Sequence, residues 1–332
     1  DLPKRPAYQT NVEVVSVHGV FEAFFQQWLA HGHRVGVNGG GDNHMTSAGH
    51  GNPGHHYPNT NGLAGACATE RTRAGVWDAI QQRRTYAVTG NQRIFLEVEA
   101  NGIAMGGVVT DANAARTFRV RAAGTAPILR IDLVKNNTCV QSHRPALATR
   151  EHLRFAWTDS VPSRREDDSL TTGTIRVADG TLSLLSAIHA YNSTDAFSEE
   201  DGAIAFRANG FSGITRGVLA RVDGSPAQAL FSVRDEHLGT VLLDETLTVD
   251  LRPASSRTTR PLDVPAWRDR PFVTQEPHVC AWTLDVDWVD PAWPKTADLT
   301  WEDAGGDAAF YYVRLEQIDG NIAWSSPIWF TD

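Results

Sequence analysis

A carboxylate and an imidazole, Asp42 and His44, lie two residues apart directly after three glycines at 39–41. In an extended segment, residues i and i+2 point to the same side, so both side chains can reach one metal ion. A carboxylate with an imidazole suits Zn, Mn or Fe, and the glycines let the backbone approach a ligand closely. The alternative interpretation is a glycine-rich turn in which Asp42 accepts hydrogen bonds from backbone amides.

Histidine is concentrated in the same part of the chain, where seven of the twelve lie within the first 56 residues. His18 ends a predicted strand, and packing near the loop explains it as well as a functional role does. Glu13, inside that strand, is either a buried acid or a partner of a ligand. His55 and His56 lie in a predicted loop near Asp42, where they either contact substrate or an anion or face solvent.

Four arginines surround a helix that the sequence predicts from residue 72 to about residue 84: Arg71, Arg73, Arg83 and Arg84. An arginine near a helix start that also faces a strand end, which is the hypothesis for Arg73, can hold a phosphate through paired hydrogen bonds. The alternative for all four side chains is a solvated helix face.

The elements that must position these residues follow an α/β pattern between residues 11 and 90. Short apolar runs predict four strands, at 11–17, 34–38, 62–68 and 86–88. An amphipathic spacing of apolar residues predicts a helix over 21–29. Thr72 is the expected N-cap of the second helix, whose Val76, Trp77 and Ile80 are predicted to face inward. This alternation indicates a parallel sheet, and such sheets gather reactive groups at their strand ends.

From about residue 94 onward the pattern changes to short strands separated by Asn-Gly and Asp-Gly turns. Among the predicted strands are 94–99, 117–122, 128–135, 173–177, 203–207 and 311–317. Regularly spaced strands with such turns are typical of antiparallel β-sandwiches. The sequence therefore predicts an α/β region followed by an all-β region with one or two antiparallel β-sandwich domains.

Composition narrows the classes of partner. The net charge is −9 and the pI about 5.7, which disfavours a nucleic-acid partner. No window approaches the roughly 20 apolar residues of a membrane helix. Cys139 and Cys280 could form one disulfide in an exported protein, so a periplasmic, secreted or cytoplasmic location stays open. Because the chain begins at Asp1, we expect a processed or truncated product.

Several strings in the chain resemble a known family when taken in order. They are Val-Glu-Val with His-Gly at 12–19, Asp-Asn-His at 42–44, Arg-Arg-Thr-Tyr with Thr-Gly at 83–90, and Trp-Ser-Ser-Pro-Ile-Trp at 324–329. They resemble the C-terminal part of a polymerase-and-histidinol-phosphatase (PHP) domain, in particular its DUF3604-like branch. The resemblance is ordered over 11–95 and 308–330 and loose over 100–300.

The resemblance implies a distorted β/α barrel that binds two or three divalent metal ions, with a bridging water that attacks a phosphoester. Asp42 and His44 match its last metal motif, and His18 corresponds less directly, because the family's penultimate histidine ligand lies further upstream. It implies that residues 1–93 are the C-terminal part of the barrel and that 94–332 form the β-sandwich region. The resemblance gives no counterpart in this chain for the family's opening metal motif or for its middle Glu and His ligands, so a separate N-terminal fragment or second chain is expected to complete the barrel.

Two hypotheses about function follow. The first is a metal-dependent hydrolase of small phosphoesters, in which His18, His55 or His56 assists catalysis and Arg73 orients phosphate. The second is a non-catalytic β-rich binding or assembly protein, with a degenerate barrel remnant and with tryptophans beyond residue 260 as stacking surfaces. A homo-oligomer is compatible with either hypothesis.

Overall fold

A computed structural model describes residues 9–41, 61–90, 92–160, 169–190, 194–210, 213–263 and 280–332. The chain folds into two compact units. The first unit takes its described residues from Asp1–Ala146 and Ala292–Asp332, and the second from Leu147–Pro291. The boundary predicted at 93/94 therefore falls inside the first unit, whose β-strands come from both ends of the chain.

The first unit contains two helices and the strands on either side of the second unit. Before the second unit the elements are β1 (Asn11–Ser16), β2 (Gly19–Val20), α1 (Glu22–Ala30), β3 (Gly36–Gly39), β4 (Gly62–Ala66), α2 (Arg73–Gln81), β5 (Thr85–Thr89), β6 (Phe95–Ala100), β7 (Ile103–Ala104), β8 (Val108–Val109), β9 (Arg116–Ala123), β10 (Ile128–Lys135) and β11 (Thr138–His143). After it come β22 (Thr296–Asp303), β23 (Ala309–Gln317), β24 (Ile322–Ser325) and β25 (Ile328–Phe330).

These strands form three sheets. A three-stranded sheet has the order β2-β1-β3, with β1 and β3 parallel as predicted. An eight-stranded sheet has the order β11-β10-β23-β24-β5-β4, extended by β25 and β8, and a four-stranded sheet has the order β22-β9-β6-β7. The prediction that all the early strands are parallel is wrong, because β4 and β5 pair antiparallel with each other and β5 pairs with the C-terminal β24. The described residues contain no closed barrel, so the predicted barrel form is not confirmed.

The eight-stranded sheet is the central layer of the first unit because both its faces are buried. Along β23 the side chains alternate between the two faces, as a pleated strand requires. Tyr311, Val313 and Leu315 pack in one core with the four-stranded sheet, whereas Tyr312 packs in another core with α1. The three-stranded sheet that ends at the glycine run is thereby held against the central layer.

The two helices are buried to very different extents. Helix α1 buries Phe25, Trp28 and Leu29 of the predicted apolar stripe, whereas Phe24, which belongs to the same stripe, is exposed. Helix α2 buries only Ala79 completely, while Val76 and Trp77 are 40% and 61% exposed. The prediction that Val76 and Trp77 face inward is therefore wrong within the described part of the chain.

The N-cap of α2 was predicted correctly and gives a stability test. Thr72 has an extended backbone, and its Oγ1 accepts a hydrogen bond from Gly75 N at 3.0 Å. We expect Thr72→Ala to lower the free energy of unfolding by about 1 kcal/mol, and Thr72→Ser to lower it by less, because serine keeps the acceptor. Urea denaturation followed by circular dichroism measures the difference. Equal losses for the two variants would contradict the cap.

The second unit is a β-sandwich. Its strands are β12 (His152–Asp159), β13 (Ser169–Val177), β14 (Gly180–Ile188), β15 (Ala196–Glu200), β16 (Ala203–Ala208), β17 (Arg216–Gly224), β18 (Gln228–His237), β19 (Thr240–Asp250), β20 (Ser255–Pro261) and β21 (Ala281–Val289). They form two antiparallel five-stranded sheets, β14-β17-β12-β21-β20 and β15-β16-β13-β18-β19. Trp157 and Trp282 from one sheet pack with Phe206 and Phe231 from the other in a common core. The predicted antiparallel β-sandwich is confirmed here.

Two further findings concern the cysteines and the apolar character of the helices. Cys67, Cys139 and Cys280 are free thiols, so the disulfide that the sequence left open is not formed. Among the described residues, neither helix has the length and apolar character needed to cross a membrane.

Candidate functional site

The predicted site residues divide into two groups. Asp42, His44, His55 and His56 lie outside the described residues. His18 and Arg73 are described, and so are the elements on both sides of the 42–60 segment. What the structure provides is the framework from which Asp42 and His44 extend.

That framework is the sheet edge at which the parallel strands β1 and β3 end. Their register pairs Val15 with Gly39, and Gly40 N donates a hydrogen bond to Val15 O at 2.9 Å. The chain after β1, which carries the exposed His18, and the chain after β3, which leads to Asp42, therefore leave the sheet at the same edge. The carboxyl ends of neighbouring parallel strands are where α/β sheets gather their reactive groups.

Two glycines at this edge are required by close packing between backbones. A Cβ on Gly39 would collide with the carbonyl oxygen of Leu63 and would lie 2.9 Å from Leu63 N. A Cβ on Gly62 would collide with Val15 O, while Gly62 N itself donates to Gly40 O at 2.8 Å. The glycines thus let β4 approach the end of β3, a reason that the sequence did not indicate.

Glu13 contributes a carboxylate to the same edge. Its side chain lies against Gly40, where a Cβ on the glycine would collide with Glu13 Oε1. The residue is exposed, so the interpretation of Glu13 as a buried acid is wrong. The signal that could have identified it is a lone charge inside an apolar strand, Val12-Glu13-Val14. Carboxylates and imidazoles are both ligands of divalent transition metals, so Glu13 extends the set of candidate groups.

Helix α1, which follows His18, is fixed to the central sheet by a polar cluster. Tyr312 OH donates to Glu22 Oε1 at 3.0 Å and accepts from Gln26 Nε2 at 2.8 Å. Arg314 Nε donates to Glu22 Oε2 at 3.2 Å, and its Nη1 donates to Glu316 Oε2 at 3.0 Å. Burial, followed by the charge of Glu22, raises the pKa of Tyr312 well above its ordinary value, so the phenol stays a neutral donor. The cluster holds the start of α1, and hence the turn that carries His18, in a fixed position.

The arginines around α2 have different surroundings. Arg83 Nε donates to Gly106 O at 3.1 Å, and its guanidinium lies 5.6 Å from the ring centroid of Trp329. Arg84 forms an ion pair with Asp78. Arg73 is exposed at the first residue of α2.

A hydrogen bond joins the C-terminal end of α2 to the beginning of β1. Asn11 Nδ2, at the beginning of β1, donates to Ile80 O at 2.8 Å. The structure therefore joins the last turn of α2 to the opposite end of β1 from His18. This contact fixes only the last turn, so the position of Arg73 at the edge that carries His18 stays a prediction.

Within the residues that the structure describes, no three His, Cys, Asp or Glu side chains come together in an arrangement that could hold a metal ion. A metal site at this edge would therefore need ligands beyond the described residues, and Asp42 and His44 are the candidates that the sequence supplies.

The last two strings singled out in the sequence meet on neighbouring strands. Strands β5 and β24 pair antiparallel with Ala323 opposite Val88, Trp324 opposite Ala87 and Ser325 opposite Tyr86. The Arg-Arg-Thr-Tyr string thus lies beside the Trp-Ser-Ser-Pro string, although they are about 240 positions apart. Both serve to build the central sheet.

Comparison with known protein families gives one finding. Residues 31–99 match DUF3604. The family is described as a protein of unknown function, and the matched segment runs from the end of α1 to the end of β6. No curated protein matches the chain. The match confirms the DUF3604 part of the resemblance over a segment that includes Asp42 and His44.

Proposed function

We propose that this chain supplies the last metal-binding segment of a PHP-like, metal-dependent phosphoesterase. The observation that supports the proposal most directly is the parallel pairing of β1 and β3. It brings the turn at His18 and the glycine run before Asp42 to one sheet edge. In the proposal Asp42, His44 and His18 bind Zn, Mn or Fe, with two or three ions in the complete site.

The described residues at this edge have side chains that suit a divalent metal site. His18 and Glu13 are both exposed at the edge, and they offer an imidazole and a carboxylate. A bound divalent ion would bring the pKa of a water molecule close to neutral and stabilise charge on a phosphoryl group. His55 and His56 would exchange protons with the substrate or the attacking water, and Arg73 would orient the phosphate.

The proposal also includes an N-terminal fragment or a second chain that completes the barrel. Support comes from α2, whose Val76 and Trp77 are exposed side by side on a helix with one fully buried residue. Short helices gain most of their stability from packing an apolar face, so a covering partner would stabilise α2.

The second hypothesis, a non-catalytic binding or assembly protein, is supported by the β-sandwich of the second unit. The argument that tryptophans form stacking surfaces is weaker, because five tryptophans beyond residue 260 are buried, namely Trp282, Trp288, Trp293, Trp324 and Trp329. Trp301 is half-buried, and Trp267 lies outside the described residues.

One experiment separates the two hypotheses. Elemental analysis of the native protein, co-expressed with its upstream coding segment, should find stoichiometric Zn, Mn or Fe. A chromogenic aryl phosphate should be hydrolysed, with activity lost on chelation and restored by one of the three metals. A metal-free, inactive but oligomeric sample would favour the assembly hypothesis.

A further inference from the structure

Val37 lies in the middle of β3, the strand that leads to Asp42. On the side of β3 that faces away from β1, side chains take the place of a paired strand at Val37. Strand β1 pairs with one side of β3. On the other side, both backbone groups of Val37 are bound by side chains. Val37 N donates to Ser326 Oγ at 3.0 Å, and Thr85 Oγ1 donates to Val37 O at 2.7 Å. Two hydroxyl groups thus take the place of a neighbouring strand.

The hydrogen bonds among these groups form a closed ring. Ser326 Oγ lies 3.1 Å from Thr85 Oγ1, and either atom can donate. When Ser326 donates to Thr85, the ring runs from Val37 N to Ser326, from Ser326 to Thr85, and from Thr85 to Val37 O, which lies closer to the Thr85 hydroxyl than its other acceptor, Asn11 Oδ1 at 3.0 Å. Ser326 is fully buried, Thr85 nearly so, and Val37 shows no exposed surface. Losing one member would leave a buried polar group unsatisfied, which costs more than an ordinary hydrogen bond.

The surrounding residues leave little freedom for this ring. Gly36 precedes Val37, and a Cβ there would lie 2.7 Å from Ser326 Oγ and 2.8 Å from Arg83 Cβ. Ser326 N also donates to Thr85 O at 3.0 Å, which fixes the two hydroxyl-bearing residues relative to each other. The ring therefore determines where β3 lies against the central sheet.

We propose that Ser326 and Thr85 are positioning residues for the metal site, which they support by holding β3, and hence Gly39–Gly41, at a fixed distance from β5. This inference rests on the proposed function. It assigns a role to the two recognisable strings: each provides one hydroxyl group that holds the strand leading to Asp42. Removal of a group that hydrogen-bonds a metal ligand directly typically changes metal affinity by about 10–100-fold, and we expect the lower end of that range for Ser326 and Thr85, because they act through the backbone of β3.

The chain offers a matched control in the neighbouring serine. Ser325 is also fully buried, and its Oγ accepts a hydrogen bond from Val313 N at 2.9 Å, within the central sheet. Ser325→Ala and Ser326→Ala therefore each remove a buried hydroxyl and leave one backbone N–H unsatisfied, and Ser326→Ala also removes the contact with Thr85. Both variants should lower the Tm, Ser326→Ala by at least as much as Ser325→Ala.

The test compares metal affinity and local backbone protection in the protein completed by its upstream segment. Ser326→Ala should weaken binding of Zn²⁺ or Mn²⁺, measured by calorimetry, by about tenfold or more, whereas Ser325→Ala should change it less than about twofold. Thr85→Val should behave like Ser326→Ala, and Thr85→Ser, which keeps the hydroxyl, should retain wild-type affinity. Hydrogen exchange by mass spectrometry should show faster exchange over 37–41 in Ser326→Ala only.

The outcomes distinguish this inference from the proposed function. The inference is wrong if the wild-type protein binds metal and Ser326→Ala binds it with the same affinity. It is also wrong if Ser325→Ala loses as much metal affinity as Ser326→Ala. Either result leaves the phosphoesterase proposal in place. A wild-type protein that binds no metal overturns the proposed function, and the role in a metal site with it. Hydrogen exchange over 37–41 that is the same in both serine variants overturns the positioning of β3 irrespective of metal.

Discussion

Replacing Asp42 with alanine in the completed protein is expected to remove bound metal and to lower phosphoesterase activity by about a thousandfold. The proposed role of the Asp42 carboxylate is to hold a metal ion that contributes several kcal/mol of transition-state stabilisation, and each 1.4 kcal/mol corresponds to tenfold in rate. The fold should persist, because the cores of the first unit are built from the apolar side chains of its strands and of α1.

The measurement combines elemental analysis with hydrolysis of a chromogenic aryl phosphate in the presence of Zn, Mn or Fe. Asp298→Ala is a suitable control, because it removes an equal charge from an exposed carboxylate that pairs with Arg119 on the four-stranded sheet. An exposed pair of this kind contributes little to stability, so the control should keep both metal and activity. Unchanged metal content in Asp42→Ala would reject its assignment as a ligand.

Local features of the fold could be predicted from the sequence because their signals lie within a few residues. The strand at Ile128–Lys135 has both of its predicted ends. The apolar spacing in α1 identified Phe25, Trp28 and Leu29 as buried, although it also included Phe24, which is exposed. Thr72 was identified as an N-cap because a hydroxyl before a helix can accept a hydrogen bond from a free amide.

Long-range pairing could not be predicted in this way. The antiparallel pairing of β5 with β24 joins residues about 235 positions apart, and neither strand carries a local signal of its partner. A short apolar strand has the same sequence pattern whether its neighbour in the sheet is parallel or antiparallel. For the same reason, the exposure of Val76 and Trp77 follows from what α2 packs against and not from its own spacing.

The candidate site was predictable only where it follows from strand direction. Parallel strands predict a common carboxyl edge, and the structure places His18 and Gly39–Gly41 at that edge. The sequence left two alternatives for Glu13, because its contact with Gly40 depends on the register between β1 and β3. The assignment of Asp42 and His44 as ligands stays a prediction, because both residues lie outside the described part of the chain.

Gly39→Ala should have a large effect on stability, and it tests how the glycine run is used. The added Cβ would meet backbone atoms of Leu63, which cannot move unless β4 shifts away from β3. Overpacking in a rigid environment costs about 1–3 kcal/mol and occasionally more, and we expect Gly39→Ala at the upper end of that range. Because the shift would move the strand end before Asp42, the variant should also lose metal affinity.

Gly40→Ala is the matched control, one residue further along the same run. The three atoms nearest to its Cβ would all belong to the side chain of Glu13, whose carboxylate is the far end of a flexible and exposed side chain. We therefore expect a stability change within about 0.5 kcal/mol. Denaturant titration of both variants measures the difference in stability, and calorimetry with Zn²⁺ measures the metal affinity of Gly39→Ala. Equal stability of the two variants would mean that β4 does not approach β3 as closely as the collision with Leu63 requires. It would contradict the proposed geometry of the sheet edge that carries the metal site.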